Sequence, residues 1–270
     1  MLAKLFHSPL SLGLSQAAVV SLLAVAVMLL ARRESIHVER ETLSSLARGI
    51  LQIVAVGFVL IPILNGPALL GFLALAAMVA TAGAISARRA EGIPGAFSVS
   101  LAGIAAGSAA VLAPLLLLGV VEMRNHAIVP VGSMVVANAM TSCSQALERF
   151  RAETAARTGA IEAALALGAS PERAALPCVQ GAVSAAFLPR IDTLRSLGIV
   201  WIPGMMAGML LSGSDPVQAA IYQFVVIATI YASSGIAAMA GVLLIRRRAF
   251  SPAEQLVLRP GIPGGKGRNR

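Results

Sequence analysis

Long runs without a charged side chain dominate this sequence. The longest extends from Gly49 to Ala87, and 57% of the chain is hydrophobic whereas 12% is charged. Soluble domains carry about 25% charged residues, and a membrane-crossing helix needs about 20 apolar residues. The run is therefore too long for one crossing, and Asn65, Gly66 and Pro67 near its middle are typical of a tight turn. The sequence predicts an integral membrane protein in which this run forms two helices.

The predicted fold class is an all-α polytopic membrane protein with about seven transmembrane helices. The spans are expected at about Leu10 to Ala31, two within the Gly49 to Ala87 run, Gly95 to Val121, Ala127 to Leu147, Leu197 to Gly213 and Val217 to Ile245. Residues 1–250 are expected to form a single transmembrane domain. Residues 251–270 are basic and rich in Pro and Gly, which predicts a disordered cytoplasmic tail.

A shorter apolar segment, Ala174 to Leu188, contains Pro177 and is flanked by Arg173 and Arg190. Counting it as a span would place the later Arg246 to Arg248 outside the cell. We therefore expect it to lie on or partly in the cytoplasmic leaflet.

Basic residues fall in alternate loops of the seven-span arrangement. Lys4 and Arg124 lie on one side, and the remainder of the 21 lysines and arginines lie on the other. The positive-inside rule then predicts an external N-terminus and a cytoplasmic C-terminus in the cell inner (plasma) membrane. The net charge of +9 is thus a topology signal, and the 4% aromatic content offers no stacking surface for nucleic acid. No predicted span contains a charged residue, which disfavours ion-coupled transport.

A charged segment, 148–195, separates the fifth and sixth predicted spans. Within it an Ala-rich helix ends at Gly168, which can adopt the left-handed conformation, and Ser170 and Pro171 are suited to begin the next helix. A short helix–turn–helix on the cytoplasmic face is what a transporter needs to receive force from a motor subunit. The predicted coupling residues are Glu162, Ala163, Ala164, Gly168, Ser170 and Pro171. Glu153 and Arg157 form an i,i+4 pair that is either a solvated helix face or a docking contact.

A polar stripe follows one face of the fifth predicted span. Its members, spaced at i, i+3, i+4 and i+7, are Asn138, Thr141, Ser142 and Gln145. Polar side chains in a bilayer need partners. The stripe either lines a translocation path or forms hydrogen bonds between helices.

The sixth predicted span begins with Pro203 and contains Met205, Met206 and Met209. Thioether sulfur is a ligand for soft metals, but methionine is also a flexible filler of gaps. Gly204-x-x-x-Gly208 here and Gly103-x-x-x-Gly107 earlier are small-residue patterns that allow close helix packing.

Motifs for catalysis and nucleotide binding are missing from the sequence. It contains no G-x-x-x-x-G-K-[ST], no H-E-x-x-H and no G-x-S-x-G. Cys143 and Cys178 are far apart and form no CxxC, which indicates neither a zinc site nor a disulfide. We predict no enzyme activity on this chain.

From about Asn138 onward the sequence resembles the FetB-type family of ABC-transporter permeases, bacterial metal-export proteins related to plant aluminium-tolerance permeases. The similar segments are 137–140, 167–171, Leu-Pro-Arg-Ile-Asp at 188–192, Pro-Gly-Met-Met-Ala-Gly at 203–208, Asp-Pro at 215–216 and Ala-Ala-Ile-Tyr-Gln at 219–223. Glu-Ala-Ala-x-x-x-Gly at 162–168 resembles the cytoplasmic coupling motif of these permeases. Ala207 and Trp201 depart from the family pattern, which has a hydroxyl residue and an aliphatic residue there.

The resemblance implies a permease that pairs with a separate ATP-binding subunit and acts in iron export or metal resistance. We expect a homodimer in the lipid bilayer with two ATPase copies, which would bind ATP and Mg, and we expect no cofactor on this chain. The substrate-path candidates are Asn138, Thr141, Ser142, Gln145, Met205, Met206, Met209, Tyr222 and Gln223. The alternatives are an ABC permease for another solute, such as a nucleotide sugar, and a non-transporting membrane scaffold or sensor. An intramembrane enzyme is the least supported alternative.

Overall fold

The computed structural model describes residues 9–33, 39–90, 92 and 95–257 of the chain. In this part of the chain the regular structure is helical, and no β-strand occurs beyond two isolated bridges. The predicted all-α class is therefore confirmed. The chain divides into two compact units, Met1–Asn65 and Gly66–Arg270.

The first unit contains two helices, α1 (Pro9–Arg33) and α2 (Glu39–Asn65), which pack against each other. Each contains a segment long and apolar enough to cross a membrane, Ser15–Arg33 and Thr42–Asn65. Most of their apolar side chains are exposed, as expected of surfaces that face lipid. Lys4 and most of the predicted charged loop, 34–38, lie outside the described residues.

The second unit contains eight described helices, joined mostly by short turns. They are α3 (Ala68–Ala87, followed by a 3-10 turn at Arg88–Ala90), α4 (Ala96–Leu117), α5 (Asn125–Ala156), α6 (Thr158–Ala166), α7 (Pro171–Ala174), α8 (Leu176–Ser196), α9 (Gly204–Leu211) and α10 (Pro216–Arg248). Candidate membrane spans in this unit are Ala68–Ala90, Ala96–Leu117, Asn125–Ala156 and Pro216–Arg248. With α1 and α2 this makes six candidate spans in the described chain, consistent with a polytopic membrane protein.

Helix α10 is the central helix of the second unit and packs on α4, α5 and α8. It runs parallel to α5, because its Val226 shares an apolar cluster with Met134 and its Gly241 faces Cys143. Helix α4 runs antiparallel to α10. A Cβ added at Gly107 would lie 2.6 Å from the carbonyl oxygen of Ser233, so this contact needs glycine. The predicted close packing of Gly103-x-x-x-Gly107 is confirmed.

The prediction of a sixth span over about Leu197 to Gly213 is wrong. This segment holds a turn with Gly198 at φ +76°, then Pro203, and then the eight-residue helix α9. At about 1.5 Å per residue, α9 is far too short to cross a bilayer. A Cβ added at Gly204 or Gly208 would meet no atom of the described chain within 4 Å, so this glycine pair makes no close helix contact here.

The long helix in this region is α8, and it does not lie across the ends of the other helices. Gly181 faces Glu153 near the end of α5, whereas Leu194 joins Met134 in one apolar cluster. The stretch of α5 from Met134 to Glu153 is about 28 Å long, and α8 runs antiparallel beside it. Ala174 to Leu188 thus lies alongside α5, and because α8 is not among the candidate membrane spans, its expected place in the cytoplasmic leaflet stays a prediction. The buried face of α8 consists of Cys178, Val179, Ala182 and Ala186, whose small side chains allow close packing.

Residues 251–257 form a tight turn after α10. The amide of Val257 donates to the carbonyl of Ala249 at 2.8 Å, and Leu256 packs against the main core. The remaining residues of the predicted tail, 258–270, lie outside the described part.

Candidate functional site

A cavity of about 400 Å³ opens between α5, α8 and α10. Its walls combine apolar, aromatic and polar side chains with one cationic group. The lining residues are Met134, Asn138, Arg190, Thr193, Ser196, Trp201, Ile227, Ile230 and Tyr231. Few-hundred-Å³ cavities with an apolar lining and a few polar groups are typical of small-molecule sites.

Arg190 of α8 is the cationic group of the cavity. Its Nε donates to Ser142 Oγ at 3.1 Å, and its guanidinium also donates a short hydrogen bond to Asn138 Oδ1. The Asn138 amide nitrogen in turn donates to the carbonyl of Met134 at 2.8 Å, which fixes the amide with its oxygen toward Arg190. Asn138 and Ser142 are near the middle of α5, so Arg190 lies near mid-length of the bundle.

No carboxylate in the described part of the chain forms a salt bridge with Arg190. Asp192, two residues further, is mostly exposed and approaches Arg195 at 4.0 Å. A guanidinium has five N–H donors, and two hydrogen bonds leave three of them without a described partner. A charge at the centre of a membrane helix costs about 2.5–3.5 kcal/mol on insertion scales, and such residues usually face a cavity and mark a substrate or ion path. Arg190 lies in α8, which was not among the predicted spans, so the statement that no predicted span contains a charged residue did not cover it.

A tight turn at the end of α8 places Trp201 at the cavity. The carbonyl of Ser196 accepts from the amides of Val200 and Trp201, at 3.0 and 3.2 Å, and Gly198 donates back to the Trp201 carbonyl at 3.0 Å. Tyr231 of α10 also lines the cavity, and its ring meets the Phe187 ring edge-on with the centroids 5.6 Å apart. The cavity therefore has two aromatic walls in addition to Arg190.

The predicted polar stripe of α5 divides into different environments. Asn138 lines the cavity and Ser142 is buried, and both accept from Arg190. Thr141 donates to the carbonyl of Ala137 in its own helix at 2.9 Å, and Gln145 is exposed. Asn138 thus combines the two interpretations, because it bonds α8 and lines the cavity, whereas Ser142 bonds α8 and is not among the lining residues.

The other predicted path residues do not line the cavity. Met205 and Tyr222 pack against the cluster of Val226, Ile227 and Ile230, and Met206 and Met209 are half-buried. Gln223 is buried on the inner face of α10, and its Oε1 has no hydrogen-bond partner in the described chain. None of these five residues is among the cavity-lining side chains.

No group of three or more His, Cys, Asp or Glu side chains that could hold a metal occurs among the described residues. The cavity lining contains one thioether, that of Met134, and no imidazole, thiol or carboxylate. Cys143 and Cys178 are buried and form no disulfide. This donor set fits a resident metal ion poorly.

The predicted helix–turn–helix forms at the end of α6. Gly168 has φ +88°, its amide donates to the Leu165 carbonyl at 2.9 Å, and the Ala169 amide donates to the Ala164 carbonyl at 2.9 Å. These are the two hydrogen bonds of a Schellman C-cap. Ser170 occupies the N-cap position of α7 and Pro171 its first turn, although the Ser170 side chain makes no capping hydrogen bond.

The turn presents an exposed surface. Glu162, Ala163, Gly168 and Ser170 are exposed, Ala164 and Pro171 are half-buried, and the Leu167 side chain is 89% exposed. Ile161 is buried and Leu165 packs against the core, which attaches the other face of α6 to the bundle. We define these residues, 161–171, as the corner.

The corner joins the two helices that carry the polar side of the cavity. Arg157 alone separates α5 from α6, and Ala175 alone separates α7 from α8. Beside it, Glu153 is largely buried and pairs with Arg149 at 2.7 Å and Arg157 at 3.0 Å, so the predicted Glu153–Arg157 pair is present. A displacement of the corner would therefore act on α5 and α8 together.

Arg190 is the site residue that the sequence analysis missed. In the sequence it resembles the flank of a short cytoplasmic segment, Ala174 to Leu188. A signal was present in the spacing, since Cys178, Ala182, Ala186 and Arg190 follow one another at four-residue intervals and so lie along one helix face.

Comparison with known proteins gives a consistent set of matches. A family model described as "Uncharacterised protein family (UPF0014)" matches residues 14–250. The chain is 29% identical over 238 residues to the Escherichia coli (strain K12) protein named "Probable iron export permease protein FetB", covering 88% of this chain and 92% of that protein. It is 32% identical over 244 residues to "Protein ALUMINUM SENSITIVE 3" of Arabidopsis thaliana, covering 89% of this chain and 87% of that protein.

A third relative is "UPF0014 membrane protein STAR2" of rice, Oryza sativa subsp. japonica, at 31% identity over 244 residues, with 90% of this chain and 85% of that protein covered. No solved structure matches the chain. These matches confirm the resemblance predicted from the sequence, and none of the three names is that of an enzyme.

Proposed function

The chain belongs to the UPF0014 family, and from this membership we propose that it is the membrane subunit of an ABC transporter that exports a metal ion, iron in the first instance. A separate subunit would bind ATP and Mg and hydrolyse the ATP. Two copies of the chain would pair with two copies of the ATPase. The metal and the export direction come from the name of the Escherichia coli relative.

The observation that carries the proposal is the corner between α5 and α8. It is exposed, it is closed by two hydrogen bonds at Gly168, and it connects directly to the helices that hold Asn138 and Arg190. Closure of an ATPase dimer against the corner would tilt α5 and α8. Rigid-body tilting of packed helices is a common way to alternate the access of a central site.

The proposed membrane orientation places the corner in the cytoplasm. Arginines are concentrated at the end of the second unit where α5 and α10 terminate: Arg88, Arg89, Arg149, Arg151, Arg157, Arg173, Arg246, Arg247 and Arg248. Arg124 and Arg195 lie toward the other end. The positive-inside rule makes the first end cytoplasmic. If α8 is counted as a crossing, the chain crosses the plasma membrane seven times. An odd number of crossings places the N-terminus outside when the C-terminus is cytoplasmic.

The test is a comparison of Gly168→Glu with Gly213→Glu in the complex with the ATPase. Both glycines follow a helix with positive φ, at +88° and +89°, and neither has another atom within 4 Å of an added Cβ. The two substitutions therefore bring similar strain and the same charge, but Gly213 lies at the opposite end of α10 from the arginines. We expect Gly168→Glu to uncouple ATP hydrolysis from iron efflux, and Gly213→Glu to leave the two coupled.

Two results would refute the proposal. One is that the purified chain never co-elutes with an ATPase. The other is that cells carrying Gly168→Glu export iron as the wild type does. The first result would favour the alternative of a membrane scaffold or sensor without transport.

A second candidate is an ABC permease for another solute, such as a nucleotide sugar. It is favoured by the cavity itself, whose lining holds an arginine and two aromatic residues but no carboxylate, imidazole or thiol. Unchanged cellular iron in a deletion strain, together with co-elution of the purified wild-type chain with an ATPase, would support this candidate over iron export.

A further inference from the structure

The chemistry of the cavity restricts the charge of its solute. Arg190 is cationic, it has no carboxylate partner in the described chain, and the lining holds no other ionisable group except the phenol of Tyr231. An unligated metal cation entering this cavity would meet a like charge and one thioether. Like charges in a low-dielectric site repel strongly.

We propose that the cavity binds its solute through an oxyanion, carboxylate or phosphate, held by the free edge of the Arg190 guanidinium. A metal would then pass through it only as an anionic complex with an organic acid. The proposal deepens the proposed function, on which it rests, because it names the chemical class of the solute at the same site.

The hydrogen-bond geometry supports this assignment. Ser142 accepts from Nε and Asn138 accepts from Nη1, which fixes the plane of the guanidinium and leaves three N–H donors. Arginine pairs with carboxylate and phosphate oxygens through two parallel hydrogen bonds. Trp201 and Tyr231 supply flat apolar walls for the rest of the solute, and the hydroxyls of Thr193 and Ser196 lie on the same lining.

A simpler interpretation is that Arg190 only attaches α8 to α5. The substitution Asn138→Asp separates the two roles. It keeps the shape of the side chain and its contact with Arg190, so the link between the helices is retained. It also supplies a permanent carboxylate that pairs with the guanidinium and competes with any incoming oxyanion.

The experiment measures binding to the full chain in lipid nanodiscs, without ATPase, by equilibrium dialysis. The probes are labelled citrate, labelled citrate with iron(III), labelled inorganic phosphate and labelled iron(II) alone. The variants are Arg190→Gln, Asn138→Asp and the control Arg195→Gln, which removes the same charge from an exposed position of the same helix. Size-exclusion profiles and thermal midpoints establish that each variant is folded.

We expect saturable binding of at least one oxyanion probe and none of iron(II) alone. Arg190→Gln and Asn138→Asp should each weaken this binding by about tenfold or more, since charge-assisted hydrogen bonds are lost. Arg195→Gln should change it by less than about twofold. Binding of iron(III) citrate without binding of citrate identifies a metal complex as the solute, whereas binding of citrate or phosphate alone identifies a free anion.

Three results would overturn the proposal. They are the absence of saturable oxyanion binding, equal binding by the Arg190→Gln and Arg195→Gln variants, and saturable binding of iron(II) alone to the wild type. If Arg190→Gln does not fold, undiminished binding by folded Asn138→Asp is enough to overturn it. None of these results changes the outcome of the Gly168 coupling test, so the two proposals can fail separately.

Discussion

At the scale of single residues, the two Gly-x-x-x-Gly pairs have the same pattern and different surroundings. Gly107 lies against the backbone of α10, where an added Cβ would be 2.6 Å from the Ser233 carbonyl oxygen. Gly208 of α9 has open space around its Cβ position within the described chain. The pattern in the sequence predicts the potential for close packing, but only the fold determines which pair uses it.

This difference predicts opposite outcomes for two matched substitutions. Gly107→Ala should destabilise the protein by about 1–3 kcal/mol, because the added methyl overpacks a helix contact in which the obstacle is backbone. Gly208→Ala should leave stability unchanged or slightly increased, since alanine is the better helix former. Thermal unfolding midpoints in detergent, followed by size exclusion, compare the two variants. Equal midpoints would mean that α4 and α10 are further apart than described.

Arg190 and its neighbours show why the site could be predicted only in part. Asn138 and Ser142 were accessible from their spacing on an apolar helix. Arg190 was not, because it flanks a short apolar segment that contains Pro177 and that, counted as a span, would place Arg246 to Arg248 outside the cell. An ionisable residue inside a bundle is recognised only when its helix is placed first, and that placement depends on contacts that the sequence does not display.

At the scale of helices, the prediction of a span failed at α9, and the packing of α8 along α5 was not predicted. Hydropathy favoured 197–213 as the span, since it contains one run of apolar residues and no charge until Asp215. Gly198 and Pro203 nevertheless interrupt it. Helix α8 is less hydrophobic, but its small buried residues pack between α5 and α10, and tertiary packing outweighs its mean hydropathy. The helices α3, α4 and α10 were predicted close to their observed bounds, whereas α5 continues to Ala156, beyond the predicted end at Leu147.

The crossing of α8 can be tested by chemical labelling. Leu167 and Val200 precede and follow α8 and are 89% and 83% exposed, whereas the two native cysteines are buried. We expect a membrane-impermeant maleimide to label Val200→Cys in intact spheroplasts, and to label Leu167→Cys only after lysis. The wild type, whose two thiols are buried, gives the background level of maleimide labelling.

The opposite labelling pattern would restore the arrangement expected from hydropathy. If Val200→Cys reacts only after lysis, residue 200 is cytoplasmic and α8 does not cross. Arg190 would then lie at the inner surface of the membrane, where positively charged side chains are common.

At the scale of the whole molecule, the features described above form one mechanical connection. The exposed corner at Gly168 continues into α5 and α8, and these helices meet again at the hydrogen bonds between Arg190, Asn138 and Ser142. The cavity borders this meeting point. Motion imposed on the corner therefore reaches the cavity through continuous helix, without requiring a change in the packing of α4 against α10.

Trp201 makes this connection measurable, because it is the one tryptophan in the sequence and it lines the cavity. If the corner transmits motion, addition of ATP and vanadate to the complex with the ATPase should shift the emission maximum of Trp201. The Trp201→Phe variant supplies the blank, which removes any signal from tryptophans of the ATPase. We expect the shift to disappear in Gly168→Glu and to persist in Gly213→Glu, which differ in position but bring the same charge and similar strain. A shift of equal size in both variants would mean that nucleotide-driven motion reaches the cavity by a route other than the corner.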